Sequence, residues 1–262
     1  MATALVNGAS IAYDDTGGSG PAVVLGHGFL MDRTMFDHQV NALRDSHRVI
    51  TWDQRGFGET IYDDQPFTFW DSAADTLALM DYLGIDQAVV GGMSQGGFVA
   101  LRVALLAPER VRGLILLDTQ AGPEDIEVIP LYQGMIDAWV EGGPTDELTE
   151  VTASLIIGDP ELSATWIAIW RGRPQESLRN PGQTLLEREG ICDRLAEITA
   201  PAVVIHGTAD LSISMDKAEA LAAGLVGCSG VVAVEGGPHA ANMTHPGPTN
   251  DAVIAFLAGL PD

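Results

Sequence analysis

Positive charge is scarce in this 262-residue sequence. It has 13 basic residues against 36 acidic ones, a formal net charge of −23, and Lys217 is its only lysine. A surface of that sign repels the phosphates of nucleic acids and of anionic membranes, so we expect neither as a partner. The acidity would suit neutral or cationic small molecules, but solubility or a high-salt habitat explains it more simply.

Cysteine and long apolar runs are also scarce. Cys192 and Cys228 are the two cysteines; they lack the spacing of a metal site, so we expect free thiols in a reducing compartment. No run approaches the roughly 20 apolar residues of a membrane span. Residues 1–10 lack the basic and apolar segments of a signal peptide. We therefore expect a soluble, cytoplasmic protein, of which the sequence does not indicate the oligomeric state.

Apolar strand patterns alternate with helical patterns along most of the chain. A hairpin is predicted first, because apolar residues at 4–6 and 11–13 flank the tight-turn pair Asn7-Gly8. Buried strands separated by helices are typical of a mostly parallel sheet covered on both faces, and thus of an α/β fold. We predict strands at 22–26, 48–53, 87–92, 112–118, 202–207 and 230–235, with helices near 33–45, 70–83, 95–107, 214–225 and 248–259.

One region interrupts this alternation. Residues 123–194 show helical patterns broken by glycine and proline, without a strong parallel strand. We interpret this region as a helical cap inserted before the strand that carries the candidate acid described below. The remaining residues, 1–122 and 195–262, would then form a single α/β core.

Three tryptophans fall inside the predicted cap, at Trp139, Trp166 and Trp170. Aromatic side chains supply large contact surfaces and frequently line ligand pockets, so these three are candidates for a substrate pocket beneath the cap. The alternative is that they simply pack the cap onto the sheet. The sequence does not decide between these two roles, and both remain open.

The run Gly92-Met93-Ser94-Gln95-Gly96 joins an apolar strand pattern to an apolar helical one. A serine between two glycines at such a junction is typical of a nucleophile elbow. Glycine is needed on both sides because a side chain in so tight a turn would collide with the strand or the helix. Ser94 is therefore the candidate nucleophile, presented at the edge of the sheet beside the positive N-terminus of the next helix.

A serine hydroxyl is a weak nucleophile, so it needs a base to accept its proton and an acid to orient that base. Asp210 follows the strand at 202–207, at the carboxyl end where ligands bind in parallel sheets. Its alternative role is an N-cap for the next helix. Asp118, which ends the strand at 112–118, is a competing acid, and Glu124 is a weaker third choice.

Six histidines are candidates for the base. His239 combines the chain order Ser, Asp, His with a position in a loop after a strand and before the final helix. We predict it as the base, although an exposed loop histidine is the alternative. His239 and His245 are separated by six residues, and Pro246 follows, so they share no helical face and form no metal pair.

Acyl transfer also needs donors for the oxyanion that develops during attack. The turn Gly26-His27-Gly28-Phe29 follows a strand, and its small residues let the backbone approach a substrate. We predict that the backbone N–H groups of Phe29 and Gln95 form the oxyanion hole. The alternative is an ordinary turn with a structural histidine.

Together these residues resemble the α/β-hydrolase superfamily, and more closely its small, capped bacterial esterases and lactonases. That branch includes 3-oxoadipate enol-lactonases, cofactor-free haloperoxidases and hydrolases that cleave C–C bonds of meta-cleavage products. The resemblance covers nearly the whole chain and is specific for the fold rather than for a substrate. The matching residues are the elbow, His27-Gly28-Phe29, Asp53-Gln54-Arg55-Gly56-Phe57-Gly58, Gly207-Thr208-Ala209-Asp210 and His239 with Pro246.

The chain departs from the pattern after Gly58, where family members often carry a serine and this sequence has Glu59-Thr60. Thr60 keeps a hydroxyl, so we expect the turn to persist. We interpret Arg55 as a structural residue that pairs with backbone or carboxylates. A serine at position 94, in place of an aspartate, argues against a haloalkane dehalogenase or an epoxide hydrolase.

The residues and the resemblance imply a serine hydrolase that cleaves a small carboxylic ester or lactone through an acyl-enzyme, with Ser94, His239 and Asp210 as its triad and with no metal or organic cofactor. One alternative is a perhydrolase on the same triad, and another is a non-catalytic receptor for a small ligand. The last is a C–C hydrolase, whose acidic substrate would need cations near the cap, for which the candidates are Arg171, Arg173 and Arg179.

Overall fold

The computed structural model describes residues 1–261, and within them eight strands form one sheet. The strands are β1 (Ala2–Val6), β2 (Ala9–Asp15), β3 (Ala22–Gly26), β4 (Arg48–Trp52), β5 (Ala88–Met93), β6 (Val111–Leu117), β7 (Ala202–Gly207) and β8 (Cys228–Val234). Their order across the sheet is β1-β2-β4-β3-β5-β6-β7-β8.

The same part of the chain forms ten α-helices, joined in places by short 3₁₀ turns. The helices are α1 (Asp37–Leu43), α2 (Phe69–Tyr82), α3 (Gln95–Leu106), α4 (Ile129–Gly142), α5 (Asp146–Ile156), α6 (Pro160–Arg171), α7 (Arg179–Leu186), α8 (Met215–Gly224), α9 (Ala241–Thr244) and α10 (Pro246–Ala258). None of the helices in residues 1–261 combines the length and apolar character that a membrane crossing requires.

The six strands from β3 to β8 are mutually parallel, which confirms the predicted α/β fold class. Every residue of β3, β5 and β7 is buried, as expected for strands that other elements cover on both faces. Parallel strands place their carboxyl ends at one edge of the sheet, and ligands bind there in open sheets. The loops after β3, β5, β6, β7 and β8 therefore meet at that edge.

The predicted hairpin is also present at the start of the chain. β1 pairs antiparallel with β2, and β2 pairs antiparallel with β4, so these two strands extend the parallel part of the sheet. Asn7 and Gly8 form the turn with φ angles of 46° and 78°. Two successive positive φ angles match the right-handed twist of the paired strands, which is why an Asn-Gly pair predicts such a turn.

The segment between β6 and β7 carries α4 to α7 and no strand. It contacts the loop after β3 through polar groups. The indole Nε1 of Trp170 donates to the carbonyl oxygen of Leu30 at 2.8 Å, and the guanidinium of Arg173 pairs with Asp32. These contacts hold the helical segment beside the carboxyl ends of the strands. Its treatment as a separate cap over residues 123–194 stays a prediction.

Arg33 organises the carboxyl end of β4. Its guanidinium binds three carboxylates, those of Asp14, Asp53 and Glu59, and its backbone N–H donates to Asp53 at 2.8 Å. Burial alone would lower the pKa of Arg33, but the surrounding negative charge raises it instead. Asp53 is fully buried and also accepts from the backbone N–H of Glu59. The cluster thus fixes the turn after β4 against the segment that follows β3.

Nearby residues that the sequence singled out have structural roles in the same turn. Thr60 accepts a hydrogen bond from the N–H of Ala12 at 2.9 Å and donates one to the carbonyl oxygen of Asp53 at 2.6 Å. The turn therefore persists with threonine. Arg55 pairs with the buried carboxylate of Asp75 at 2.7 Å, as predicted.

Replacing Arg33 with methionine should lower the free energy of unfolding by about 3–5 kcal/mol, because Asp53 would stay buried without its counter-charge. Urea denaturation of both proteins measures the difference. Arg171→Met is the matched control, since the pair of Arg171 with Asp146 joins side chains that are 46% and 87% exposed. That control should lose less than about 1 kcal/mol; equal losses in the two variants would contradict a structural role for the Arg33 cluster.

Candidate active site

Ser94 lies between β5 and α3 in a strained backbone conformation. Its φ is 52° and its ψ is −114°, a region that non-glycine residues rarely adopt. Two hydrogen bonds keep it there: its N–H donates to the carbonyl oxygen of Leu117 at 2.9 Å, and the hydroxyl of Thr119 donates to its carbonyl oxygen at 2.8 Å. Strain retained by surrounding bonds is typical of functional positions.

Gly96 allows the turn between β5 and α3 to pack closely against the end of β3. A Cβ atom on Gly96 would overlap the carbonyl oxygen of Gly26 at the end of β3. The first turn of α3 can therefore touch the backbone of β3 only when position 96 has no side chain. This contact brings Ser94 next to the loop that follows β3.

Asp210 and His239 are in direct contact. The Nδ1 atom of His239 lies 2.7 Å from Oδ2 of Asp210, and Oδ1 of Asp210 accepts from the backbone N–H groups of Ser212 and Ile213 at 2.7 and 2.9 Å. Burial alone would raise the pKa of Asp210, but the charge that His239 carries when protonated and the hydrogen bond that it donates outweigh burial and hold that pKa below its ordinary value. The lowered pKa favours an ionised Asp210, and the hydrogen bonds to its two oxygens fix the orientation of the carboxylate.

A carboxylate can only accept hydrogen bonds, so Nδ1 of His239 carries the proton and Nε2 is left as the acceptor in the neutral ring. Ser94 and His239 line the same cavity, of about 70 Å³. Within residues 1–261 the Ser94 hydroxyl makes no hydrogen bond, so the serine and the imidazole share the cavity without a direct bond. Such bonds are often long in a ligand-free site and shorten when substrate binds.

The two predicted oxyanion donors flank this cavity. Phe29 lines it, and Gln95 directly follows Ser94 as the first residue of α3. Neither backbone N–H donates to another group in the part of the chain that the structure describes. Both remain available to an oxygen bound near Ser94, and the start of α3 adds the positive end of its dipole.

His27 holds the loop that carries Phe29. Its Nδ1 donates to the carbonyl oxygen of Gly28 at 2.8 Å, and its Nε2 accepts from the N–H of Gln54 at 2.9 Å. Burial lowers the pKa of His27, so the ring is neutral, as this pattern of one donor and one acceptor requires. His27 therefore has a structural role in this turn and supports the loop in which the predicted donor Phe29 lies.

Asp118, the competing acid, lies elsewhere in the site. It accepts from the N–H of Gly207 at 2.8 Å, and no hydrogen bond joins it to His239 within residues 1–261. Burial, reinforced by the negative charge of Asp210, raises the pKa of Asp118 well above its ordinary value. The environment therefore favours a neutral Asp118 and an ionised Asp210. Glu124, the third choice, pairs instead with Arg188 at 2.8 Å.

Asp118, His206 and Asp210 offer three polar atoms within 4.8 Å of one another, a grouping that invites comparison with a metal site. Both oxygens of Asp210 accept hydrogen bonds as described, and Asp118 accepts from the N–H of Gly207. Nε2 of His206 donates to the carbonyl oxygen of Ile213 at 2.8 Å, which leaves its buried Nδ1 without a partner within residues 1–261. We therefore assign no metal to this cluster.

The structure places the three tryptophans of the helical segment away from the lining of the Ser94 cavity. None of Trp139, Trp166 and Trp170 is among the residues that line the cavity at Ser94. All three are buried, and Trp139 packs edge-to-face on Trp170 with ring centres 5.9 Å apart. Trp166 and Trp170 are four residues apart and so share one face of α6. The packing alternative is the one that these contacts support.

Sequence reasoning missed several residues that do line the cavity. Gln120, Tyr132 and Arg188 join apolar side chains such as Phe98 there. Tyr132 belongs to α4 and Arg188 follows α7, whereas Gln120 lies in the loop after β6. The sequence signal for Arg188 is weak, because a charged residue after Leu185-Leu186 usually faces solvent.

Comparison with known proteins identifies the family of this chain. The sequence pattern of the alpha/beta hydrolase fold family matches residues 21–246. The chain belongs to this family. A non-heme chloroperoxidase of Streptomyces lividans is 28% identical over 283 residues, which cover 96% of this chain and 97% of that protein.

Solved structures are similar over nearly the whole chain as well. A thermophilic esterase from Thermogutta terrifontis has a TM-score of 0.87 and 29% identity, covering 95% of this chain and 93% of the esterase. An enol-lactonase from Burkholderia xenovorans LB400 has a TM-score of 0.88 and 25% identity, covering 98% and 99% of the two chains.

Alanine at position 96 should destabilise this hydrolase by about 3 kcal/mol or more, since the backbone of β3 cannot yield to the new Cβ. Gly134→Ala is the matched control, because a Cβ there meets nothing within 4 Å. In a helix, that exchange should stabilise by up to about 1 kcal/mol. Chemical denaturation monitored by circular dichroism measures both, and a Gly96→Ala protein as stable as the unmodified one would show that the contact is not a constraint.

Proposed function

We propose that this protein is a serine hydrolase that cleaves a small carboxylic ester or lactone through an acyl-enzyme. The observation that carries the proposal is the 2.7 Å contact between His239 and ionised Asp210, on the cavity where strained Ser94 presents its hydroxyl. The neighbouring esterase and enol-lactonase structures support the substrate class.

In the first step the Ser94 hydroxyl attacks the carbonyl carbon of the substrate. Nε2 of His239 accepts the hydroxyl proton, and Asp210 stabilises the imidazolium that forms. The carbonyl oxygen becomes an oxyanion, which the N–H groups of Phe29 and Gln95 bind. Two fixed donors in a partly enclosed site stabilise this charge more strongly than water would, because they need no reorganisation.

In the second step the tetrahedral intermediate collapses. The imidazolium of His239 gives its proton to the departing alcohol oxygen, and the acyl group stays bound to Ser94. Water then takes the place of the alcohol, loses a proton to His239 and attacks the acyl carbon. The carboxylic acid leaves, and the proton returns to the oxygen of Ser94. In a lactone the alcohol and the acid belong to one product.

The size of the cavity supports a small substrate. One buried water needs roughly 10–15 Å³ of such space, so a cavity of about 70 Å³ has room for a group of a few non-hydrogen atoms. Most of its lining is apolar, including Met93, Phe98 and Leu155. Such a lining suits a short alkyl or acyl group.

Perhydrolysis is a second candidate, favoured by the chloroperoxidase relative. Hydrogen peroxide would replace water as the attacking species on the acyl-enzyme, and the product would be a peracid that oxidises halide. Peroxide-dependent bromide oxidation in acetate buffer, absent in Ser94→Ala, would support it. Bromide oxidation that persists in Ser94→Ala would exclude this route.

Ser94→Ala should lower kcat/KM for p-nitrophenyl acetate by at least about 10⁴-fold and leave the melting temperature nearly unchanged, because the hydroxyl makes no bond that supports the fold. A fluorophosphonate probe should label the unmodified protein on the peptide that contains residue 94. Ser46→Ala, at an exposed position, is the control and should keep full turnover. Undiminished hydrolysis in Ser94→Ala would refute the proposal, and an unlabelled, inactive protein would favour a receptor.

Asp210→Asn should lower kcat by about 10³–10⁴-fold, since an amide cannot stabilise the imidazolium and favours the wrong tautomer. Asp118→Asn should change kcat less than about tenfold, because the environment already favours neutral Asp118 and an amide oxygen can still accept from Gly207. Steady-state kinetics on one ester compare the two variants. A severe loss confined to Asp118→Asn would reverse the assignment of the acid.

A further inference from the structure

Arg188 is an almost fully buried cation on the wall of the Ser94 cavity, with 2% of its side chain exposed. Its Nη1 donates to Glu124 at 2.8 Å and to the carbonyl oxygen of Leu185 at 3.0 Å, and its Nε donates to Gly122 at 3.2 Å. The guanidinium carbon also lies 4.5 Å from the ring centre of Phe98. The group is thus held rigidly at a wall that is otherwise mostly apolar.

Two donors on this wall are unused. Within residues 1–261, neither Nη2 of Arg188 nor the hydroxyl of Tyr132 makes a hydrogen bond, and neither is among the fully enclosed atoms that lack a partner. Each of these two atoms therefore keeps some surface that is not covered by the protein. A donor in a mostly apolar cavity gains when a ligand oxygen accepts from it, and the gain is larger for a charged donor.

Glu124 decides which kind of oxygen fits. It lies on the same cavity, is itself largely buried and neutralises the charge of Arg188. A substrate carboxylate bound beside Arg188 would place two anions on one guanidinium in a poorly hydrated space, which costs free energy. A carbonyl, ester or hydroxyl oxygen can accept the same hydrogen bonds without that cost.

Arg188 also borders a second cavity of about 200 Å³ between α2, α3 and α7. Glu124 and Tyr132 line the cavity at Ser94 and do not line this second cavity. The side of the guanidinium that Glu124 binds and the free hydroxyl of Tyr132 are therefore both on the cavity that holds Ser94.

We propose that Arg188, held by Glu124 and assisted by Tyr132, selects neutral esters or lactones that carry a second oxygen acceptor remote from the scissile bond, and disfavours those that carry a free carboxylate. This inference rests on the proposed function and specifies its substrate class. Arg188 acts here as a specificity determinant through its contact with the substrate.

Three substrates of similar length isolate the effect: dimethyl glutarate has a neutral acceptor, monomethyl glutarate has a carboxylate, and methyl hexanoate has neither. The unmodified protein should favour dimethyl glutarate over both of the others in kcat/KM, by about tenfold or more. Arg188→Met should lower the ratio of dimethyl glutarate to methyl hexanoate by about 10–100-fold, mainly through KM, because a ground-state contact is lost.

Glu124→Gln should act in the opposite direction on the charged substrate. It leaves Arg188 with an unneutralised charge, so kcat/KM for monomethyl glutarate should rise about tenfold or more relative to dimethyl glutarate. Tyr132→Phe should lower the kcat/KM ratio of dimethyl glutarate to methyl hexanoate by a few-fold, through a higher KM for dimethyl glutarate. Arg171→Met is the control, because Arg171 belongs to an exposed ion pair. It should leave every kcat/KM ratio within about twofold of its value in the unmodified protein.

Removal of one partner from a buried pair can prevent folding. The double variant Glu124→Gln/Arg188→Met removes both charges, so it leaves no unpaired charge buried. Its kcat/KM ratio of dimethyl glutarate to methyl hexanoate should be as low as that of Arg188→Met. Fluorophosphonate labelling at residue 94 and thermal melting identify the folded proteins. Folded variants with the same three-substrate ratios as the unmodified protein, or an unmodified protein that prefers monomethyl glutarate, would overturn the inference alone. Failure of the unmodified protein to hydrolyse any ester or react with the probe would overturn the proposed function itself.

Discussion

The site depends first on one close contact, between the start of α3 and the end of β3. Gly96 touches the carbonyl oxygen of Gly26 so closely that no side chain fits between them. This packing of two backbones sets the spacing between Ser94 and the loop that presents Phe29. Side-chain rotamers have little influence on that spacing, because main chain meets main chain in a close-packed interior. The positive φ of Ser94 belongs to the same turn and is retained by the hydrogen bonds of Ser94 to Leu117 and Thr119.

Electrostatics then distinguishes two aspartates that end neighbouring strands. The charge that the His239 ring carries when protonated, the hydrogen bond that it donates and the backbone donors of Asp210 together outweigh burial and lower the pKa of Asp210. Asp118 lies fully buried beside Asp210, so desolvation and like charge raise its pKa. Two nearby carboxylates in unequal environments are driven toward opposite protonation states. The neighbouring His206, whose pKa is lowered by burial, adds no positive charge to this cluster. The anion of Asp210 therefore lies against the imidazole of His239, which lines the same cavity as Ser94.

Local patterns predicted the fold and the residues at strand ends, because strand, turn and glycine signals act over a few residues. The Asn7-Gly8 turn and the serine elbow are of this kind. The orientation of side chains within the helical segment was not predictable in the same way. Trp166 and Trp170 share a face of α6, but the sequence does not say whether that face meets a cavity or another helix. The pairing of Glu124 with Arg188 spans 64 residues, so it arises only from the path of α4 to α7.

The Glu124–Arg188 pair also joins the two ends of the helical segment between β6 and β7, but a second contact joins these ends as well. The N–H of Ile191 donates to the carbonyl oxygen of Ala121 at 2.8 Å, which joins the same two ends through the backbone. A buried ion pair is seldom more stabilising than apolar residues of similar volume, because desolvation offsets the attraction between the charges. Stability alone therefore does not explain why Arg188 and Glu124 lie at a cavity lined by Phe98 and Met93. Ligand recognition does explain it, because the pair adds fixed polar groups to an apolar wall while the net charge of that wall stays near zero.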